Sequence, residues 1–186
     1  KGARIAVWTI INIEEWDIHH PMARTILPPP GGGTNPPPDV PNYSWYDYGL
    51  RVGVWRLKEV LDRYSIQATV SLNGSVCTSY PRLVESMVDA GWELMGHSYI
   101  QRPMALEQDQ AGMIQQTIAT IRETSGQPPR GWMGPGLTET WETPDLLAEA
   151  GIEYVCDWVN DDLPYAMRVK SGRLVSLPYT VELNDI

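Results

Sequence analysis

Apolar positions along this chain switch repeatedly between strand-like runs and helical stripes. Arg4–Ile13 is apolar and β-rich. Val54, Leu57, Val60 and Leu61 then recur at helical spacing, with Arg56, Lys58, Glu59 and Asp62 facing outward, so a helix is expected over Leu50–Tyr64. Ile66–Leu72 reads as a strand that Asn73-Gly74 turns. Pro81 suits the first turn of a helix over Pro81–Ala90, whose stripe is Leu83, Val84, Met87 and Val88, and Gly91 stops it. Trp92–His97 is the next strand. A longer helix is expected over Ala105–Thr124, with Met113, Ile114, Ile118 and Ile121 on one face and Gly126 and Pro128 beyond its end. After the short strand Arg130–Trp132, Thr143 caps a helix over Pro144–Ala150 that Gly151 closes. Ile152–Cys156 and Arg173–Leu177 complete a set of six strands.

Strands alternating with helices imply an α/β fold with a parallel sheet. Six strands are fewer than a complete eight-stranded barrel needs. No helix follows the last one, where the chain runs out at Val181–Ile186. The expectation is therefore one domain over 1–186, a barrel of strand–helix units truncated at its C-terminus. Between the first strand and the first helix, about 16–49, runs a loop with Pro28-Pro29-Pro30, Gly31-Gly32-Gly33 and Pro36-Pro37-Pro38, then aromatics from Tyr43 to Tyr48. Loops this long are usually functional or mobile. This one leaves the first strand where a barrel carries a lid, and a substrate-facing lid or a floppy insertion both fit.

Four of the strand runs stop at chemically able residues. The first ends at Glu14-Glu15, the third at His97-Ser98, the fourth at Met133-Gly134-Pro135-Gly136, and the fifth at Asp157, with Asp161-Asp162 a little further on. C-terminal strand ends form the active-site rim of α/β barrels, so these groups are candidates for one site. Two close carboxylates push their titrations apart, which suits one to proton transfer and the other to charge or metal binding. Arg130 beside such a group would hold it ionised and oriented.

Composition narrows the field. The chain has 186 residues, enough for one sizeable core, and a hydrophobic fraction of 42% with 20% charged residues. A net charge of −9 argues against nucleic acid or an acidic lipid surface as partner. The apolar runs are strand-sized, so none is expected to span a membrane. Cys77 and Cys156 sit in apolar settings and read as reduced core thiols. The opening Lys1-Gly2 shows no signal-peptide pattern, which favours a cytoplasmic location, and it is not an initiating Met, so the native N-terminus stays open.

The order of the strand-end groups resembles the polysaccharide deacetylase superfamily (the NodB-homology domain), whose fold is a distorted (β/α)7 barrel. The family's strand ending Thr-Phe-Asp-Asp-Gly is similar to Asn12-Ile13-Glu14-Glu15-Trp16, and its His-Ser/Thr-x-x-His to His97-Ser98-Tyr99-Ile100-Gln101. Its Arg and Pro-Gly loop resembles Arg130 through Gly136, and its fourth motif Asp157 through Asp162. The resemblance covers essentially the whole chain. It implies hydrolysis of an amide-like C–N bond, with Glu14 as base and Glu15, His97 and Gln101 at the positions that hold a divalent ion, usually zinc. Gln101 stands where the family has a second imidazole, and a neutral amide oxygen is a poor zinc ligand, so the ion is expected to be weak or absent. The family's closing Leu-x-His acid is missing, since no His follows His97.

Asn160-Asp161-Asp162-Leu163-Pro164-Tyr165 and Leu177-Pro178-Tyr179-Thr180 resemble the branch that includes allantoinase-type and cyclic-imide-hydrolysing relatives. The catalytic set this implies is Glu14, His97, Arg130 and Asp161, with Trp45, Trp132 and Tyr179 against the substrate, an N-acetylated sugar or a small amide or imide. A homo-oligomer is compatible with such barrels. The rival reading is a catalytically silent carbohydrate-binding module, in which Trp45, Tyr46, Tyr48, Trp132 and Trp158 stack on sugar rings.

Overall fold

The computed structural model describes residue 2 and residues 4–184. One seven-stranded sheet organises it, with β1 (Ile10–Ile13), β2 (Thr69–Leu72), β3 (Glu93–Gly96), β4 (Gly131–Trp132) and β5 (Tyr154–Val155) paired in sequence order and parallel. Beyond β5 lies β7 (Leu174–Ser176), also parallel, and at the edge β6 (Tyr165–Met167) runs antiparallel to β7. The α/β barrel-type class expected from the sequence is thus present, but as an open sheet. Among the described residues β1 and β6 are not paired with each other.

β6 is the strand that the apolar pattern missed. It is three residues long, none of them buried, so no apolar run announces it; its partners across the hairpin are Ser176, Val175 and Leu174. The first strand is shorter than expected, because only Ile10–Ile13 joins the ladder and Ile5 and Val7 are exposed. β2 is buried on both faces, as a strand covered by helices must be. Leu72 and Val70 are wholly buried, each contributing about 1.5–3 kcal/mol of apolar transfer free energy.

The helix expected to begin at Leu50 begins ten residues earlier. Asp39 caps it through Asn42 N, and Pro41 sits in its first turn. α1 (Val40–Tyr48) runs through a widened π turn at Gly49–Gly53 into α2 (Val54–Arg63). The aromatic patch is therefore helical, and the loop proper ends at its cap. Asn42 also ties that loop down, accepting from Leu27 N at 2.8 Å and donating to Leu27 O at 3.1 Å. A short α3 (Val76–Ser79) and α4 (Pro81–Asp89) follow β2, α5 (Gln110–Ser125) follows β3, and α6 (Thr143–Glu149) follows β4.

Two helix-side cores result, one between α2, α3, α4 and β1–β3, the other between α5, α6 and β4, β5 and β7. A third cluster, Met95, Met133 and Cys156, continues β3, β4 and β5, with Ile10 and Tyr179 packed against it. Both cysteines are free and buried, and burial pushes the Cys156 thiol well up, as expected of inert core thiols.

Candidate active site

The site grows from the C-terminal ends of β1 and β3. Glu14 follows Ile13, and its Oε1 stands 3.5 Å from His97 Nε2, one residue past β3. His97 is buried, and its Nδ1 lies 2.5 Å from the carbonyl oxygen of Met133. A carbonyl can only accept, so Nδ1 is the donor to Met133 and Nε2 is the nitrogen left facing Glu14. At 3.5 Å the two are farther apart than a good hydrogen bond, and His97 Nε2 has no hydrogen-bond partner.

Asn73, at the end of β2, sets the frame. Its side chain accepts from Glu15 N at 2.9 Å and donates to His97 O, bridging the exits of β1 and β3. Ser98 then takes a left-handed conformation, φ 62°, and the chain turns so that Gly74 N and Ser75 N donate to the carbonyls of Ser98 and Tyr99. Gln101 N in turn donates to Glu15 O at 3.3 Å. Trp16 stacks its ring 5.0 Å from Tyr46 of α1, which brings the aromatic helix over the β1 exit.

The donor set answers the question of a bound ion. Glu15 Oε2, His97 Nε2 and Gln101 Oε1 are all buried without a hydrogen-bond partner, so the three positions implied by the resemblance do leave polar atoms unsatisfied. Yet they comprise one carboxylate, one imidazole and one neutral amide, and the carboxylate that stands against His97 is Glu14, not Glu15. Among the described residues no three His, Cys, Asp or Glu side chains gather as a ligand group. The resemblance implies a divalent metal, but these residues do not fit a tightly held zinc.

Several expected site residues lie elsewhere. Arg130 precedes β4 and so sits at the end of the sheet opposite the rim, where its guanidinium forks Glu153 at 3.0 and 2.6 Å in the open. It orients none of Glu14, Asp157, Asp161 or Asp162. Asp161 is exposed and caps Leu163 N at 3.0 Å. Asp162 is exposed too. Trp132 is wholly buried in the second core, against Gly96, and is not available to a substrate. Trp45 is exposed on α1. Tyr179 does reach the inner face, its hydroxyl accepting from Asn12 Nδ2 at 3.4 Å.

One pair of carboxyls was not legible in the sequence. Glu139, past the Pro135–Leu137 turn, lines the same pocket as Asp157 at the end of β5. The two line a pocket of about 440 Å³ together with Leu137, Thr140, Trp141 and Trp158. Burial pushes the Asp157 carboxyl well above the usual range, and the Glu139 charge pushes it further; burial raises Glu139 as well. No short motif marks Glu139, because its partner lies on another strand.

A mostly parallel α/β sheet thus carries a carboxylate–imidazole pair at its C-terminal strand ends, the edge at which barrel-type α/β folds build their sites. The family model for polysaccharide deacetylase matches residues 34–155, and the chain belongs to that family. It is 26% identical over 137 residues to a peptidoglycan deacetylase of Helicobacter pylori, an alignment that takes in 72% of this chain and 46% of the relative. Among solved structures, a probable polysaccharide deacetylase from Pseudomonas aeruginosa superposes with a TM-score of 0.81 at 26% identity, covering 96% of this chain and 63% of that one. The Puue allantoinase superposes with a TM-score of 0.77 at 25% identity, covering 96% and 62%. The chain spans about half the length of the curated relatives it matches.

Proposed function

We propose that the chain hydrolyses a non-peptide amide C–N bond, that of an N-acetylated glycan, with Glu14 as base. The observation that carries this reading is Glu14 Oε1 at 3.5 Å from His97 Nε2 on adjacent strand exits. Glu14 takes a proton from water as the oxygen adds to the amide carbon. His97, its Nδ1 fixed by Met133 O, offers Nε2 to the same reacting centre. Family membership supports the amide chemistry, and the relatives' printed activities, peptidoglycan and polysaccharide deacetylation, support a glycan.

A small amide or imide substrate is the second reading, favoured by Gln101 in place of an imidazole and by the 96% coverage against an allantoinase. Turnover of chitin oligomers, allantoin and a cyclic imide by the purified chain separates the two. Acetate release from the oligomers is expected. Release of products only from allantoin or the imide moves the assignment to the small-molecule class. Binding of oligomers without turnover of any of them leaves a carbohydrate-binding module.

A further inference from the structure

Two successive loops at the C-terminal edge of the sheet each carry an indole to one pocket. Trp141 lies in the loop between β4 and α6, and Trp158 in the loop that leaves β5. Both line the cavity of about 440 Å³, with Leu137 adding to its apolar wall and Thr140 beside them. Trp141 is 91% exposed and Trp158 is exposed too. An indole left in water forgoes the transfer free energy that its burial would give. Among the described residues neither ring stacks on another aromatic.

This exposure does not come from a loose loop. Thr138 Oγ1 accepts from Met104 N at 2.9 Å and donates to Pro135 O at 2.8 Å. Thr140 N donates to Thr143 Oγ1 at 2.9 Å. Gln110 of α5 reaches both hydroxyls, donating to Thr140 Oγ1 at 3.1 Å and accepting from Thr143 Oγ1 at 2.7 Å. Trp141 therefore sits between anchored residues on either side. Trp158 Nε1 donates to Glu139 Oε2 at 2.8 Å, which fixes the plane of its ring. Aromatic side chains held in this way bind with little loss of conformational entropy.

Apolar rings beside a polar edge suit a ligand that is itself a ring with one apolar face and hydroxyls around it, as a sugar is. No Lys or Arg lines the pocket and the chain carries a net charge of −9, so an anionic ligand is disfavoured. The pocket opens on the edge of the sheet that carries Glu14 and His97, but not at the same place. β4 separates the β5 exit from the β3 exit, a distance of two strand spacings, about 10 Å. We propose that Trp141 and Trp158 form a stacking subsite for a neutral sugar residue further along the glycan than the one whose amide is cut, so that oligomers are bound in preference to a single sugar. This rests on the glycan hydrolase reading above and gives its substrate a form, an oligomer.

The test measures binding in the Glu14→Gln background, where turnover does not interfere. N-acetylchitotetraose and N-acetylglucosamine are titrated by calorimetry, and the tetraose is expected to bind about tenfold more tightly. Trp141→Ala should lose about tenfold in tetraose affinity, and Trp141→Phe, which keeps a ring, should recover most of it. The indole N–H resonance of Trp141, assigned by its loss in Trp141→Phe, is expected to shift with the tetraose. Equal tetraose affinity with and without Trp141 overturns the proposal, as does equal affinity for tetraose and monomer, or a resonance that shifts with allantoin and not with the tetraose. Tetraose binding that depends on Trp141, in a chain whose wild type turns over no amide, keeps the subsite and overturns the hydrolase reading. Tetraose turnover with a KM that Trp141→Ala leaves unchanged does the reverse.

Discussion

Strands β4 and β5 are paired side by side, and their two ends carry opposite solutions to the same problem of placing charge. At the entry end Arg130 and Glu153 meet in a bidentate ion pair, both exposed, with Glu153 held below and Arg130 above their usual values, each mainly by the hydrogen bond to the other. At the exit end Asp157 and Glu139 face each other without a cation, enclosed, and both are pushed up by burial. The first arrangement satisfies every charge in water and needs no explanation beyond surface chemistry. The second is costly and is held by Gly134 N–H and Trp158 Nε1. The contrast sets a satisfied pair at the entry end against carboxyl oxygens left without a donor at the exit end.

The contrast can be broken most severely at Gly134. A Cβ there would meet the Thr138 carbonyl oxygen at 2.3 Å and Asp157 Oδ2 at 3.0 Å. Gly134→Ala is expected to cost about 1–3 kcal/mol in a denaturant titration through overpacking, and to lower amide turnover by moving the Met133–Gly134 peptide that holds His97 Nδ1. An unchanged midpoint with unchanged turnover would show that this loop does not fix the pair.

A smaller effect sharpens the comparison through pH. The folded exit pair keeps a proton that the unfolded chain releases above the ordinary carboxylate range, so it lowers stability as pH rises from about pH 4 toward the raised folded values. Glu153, lowered in the fold, acts in the opposite sense: its contribution is present above the ordinary carboxylate value and lost as pH falls through the folded one. Melting temperatures of wild type and Glu139→Gln across that range should converge or cross as pH rises, the variant gaining on wild type. Parallel curves would argue against a raised exit-end carboxyl. The smallest effect belongs to Arg130→Gln, which should leave turnover and its pH dependence unchanged, because an exposed pair contributes little. A loss of turnover there would return Arg130 to the site.

Much of this was legible in the chain because strand and helix periods are local. β2, β3, α4 and the turn at Asn73-Gly74 follow from apolar spacing and glycine stops, and Glu14 and His97 follow from their places just past β1 and β3. Arg130 was given a site role through the family resemblance although it opens the short strand, and the structure leaves it before Gly131 at the end opposite the rim. α1 was hidden by the prolines before it, although Asp39 and Pro41 are the cap and first-turn residues that a helix start uses. Glu139 could not be read at all. It lines one pocket with Asp157, 18 positions on and past a different strand, and such a meeting leaves no local pattern.

The central claim is that this chain's own carboxylate and imidazole drive amide hydrolysis without a tightly held zinc. Elemental analysis of protein purified without chelator, with amide turnover measured before and after chelation and for Glu14→Gln, tests it most directly. The account predicts far less than one zinc per chain, turnover that survives chelation, and loss of turnover with retained ligand binding in Glu14→Gln. Near-stoichiometric zinc, with turnover that falls on chelation and returns on adding the metal, would contradict it.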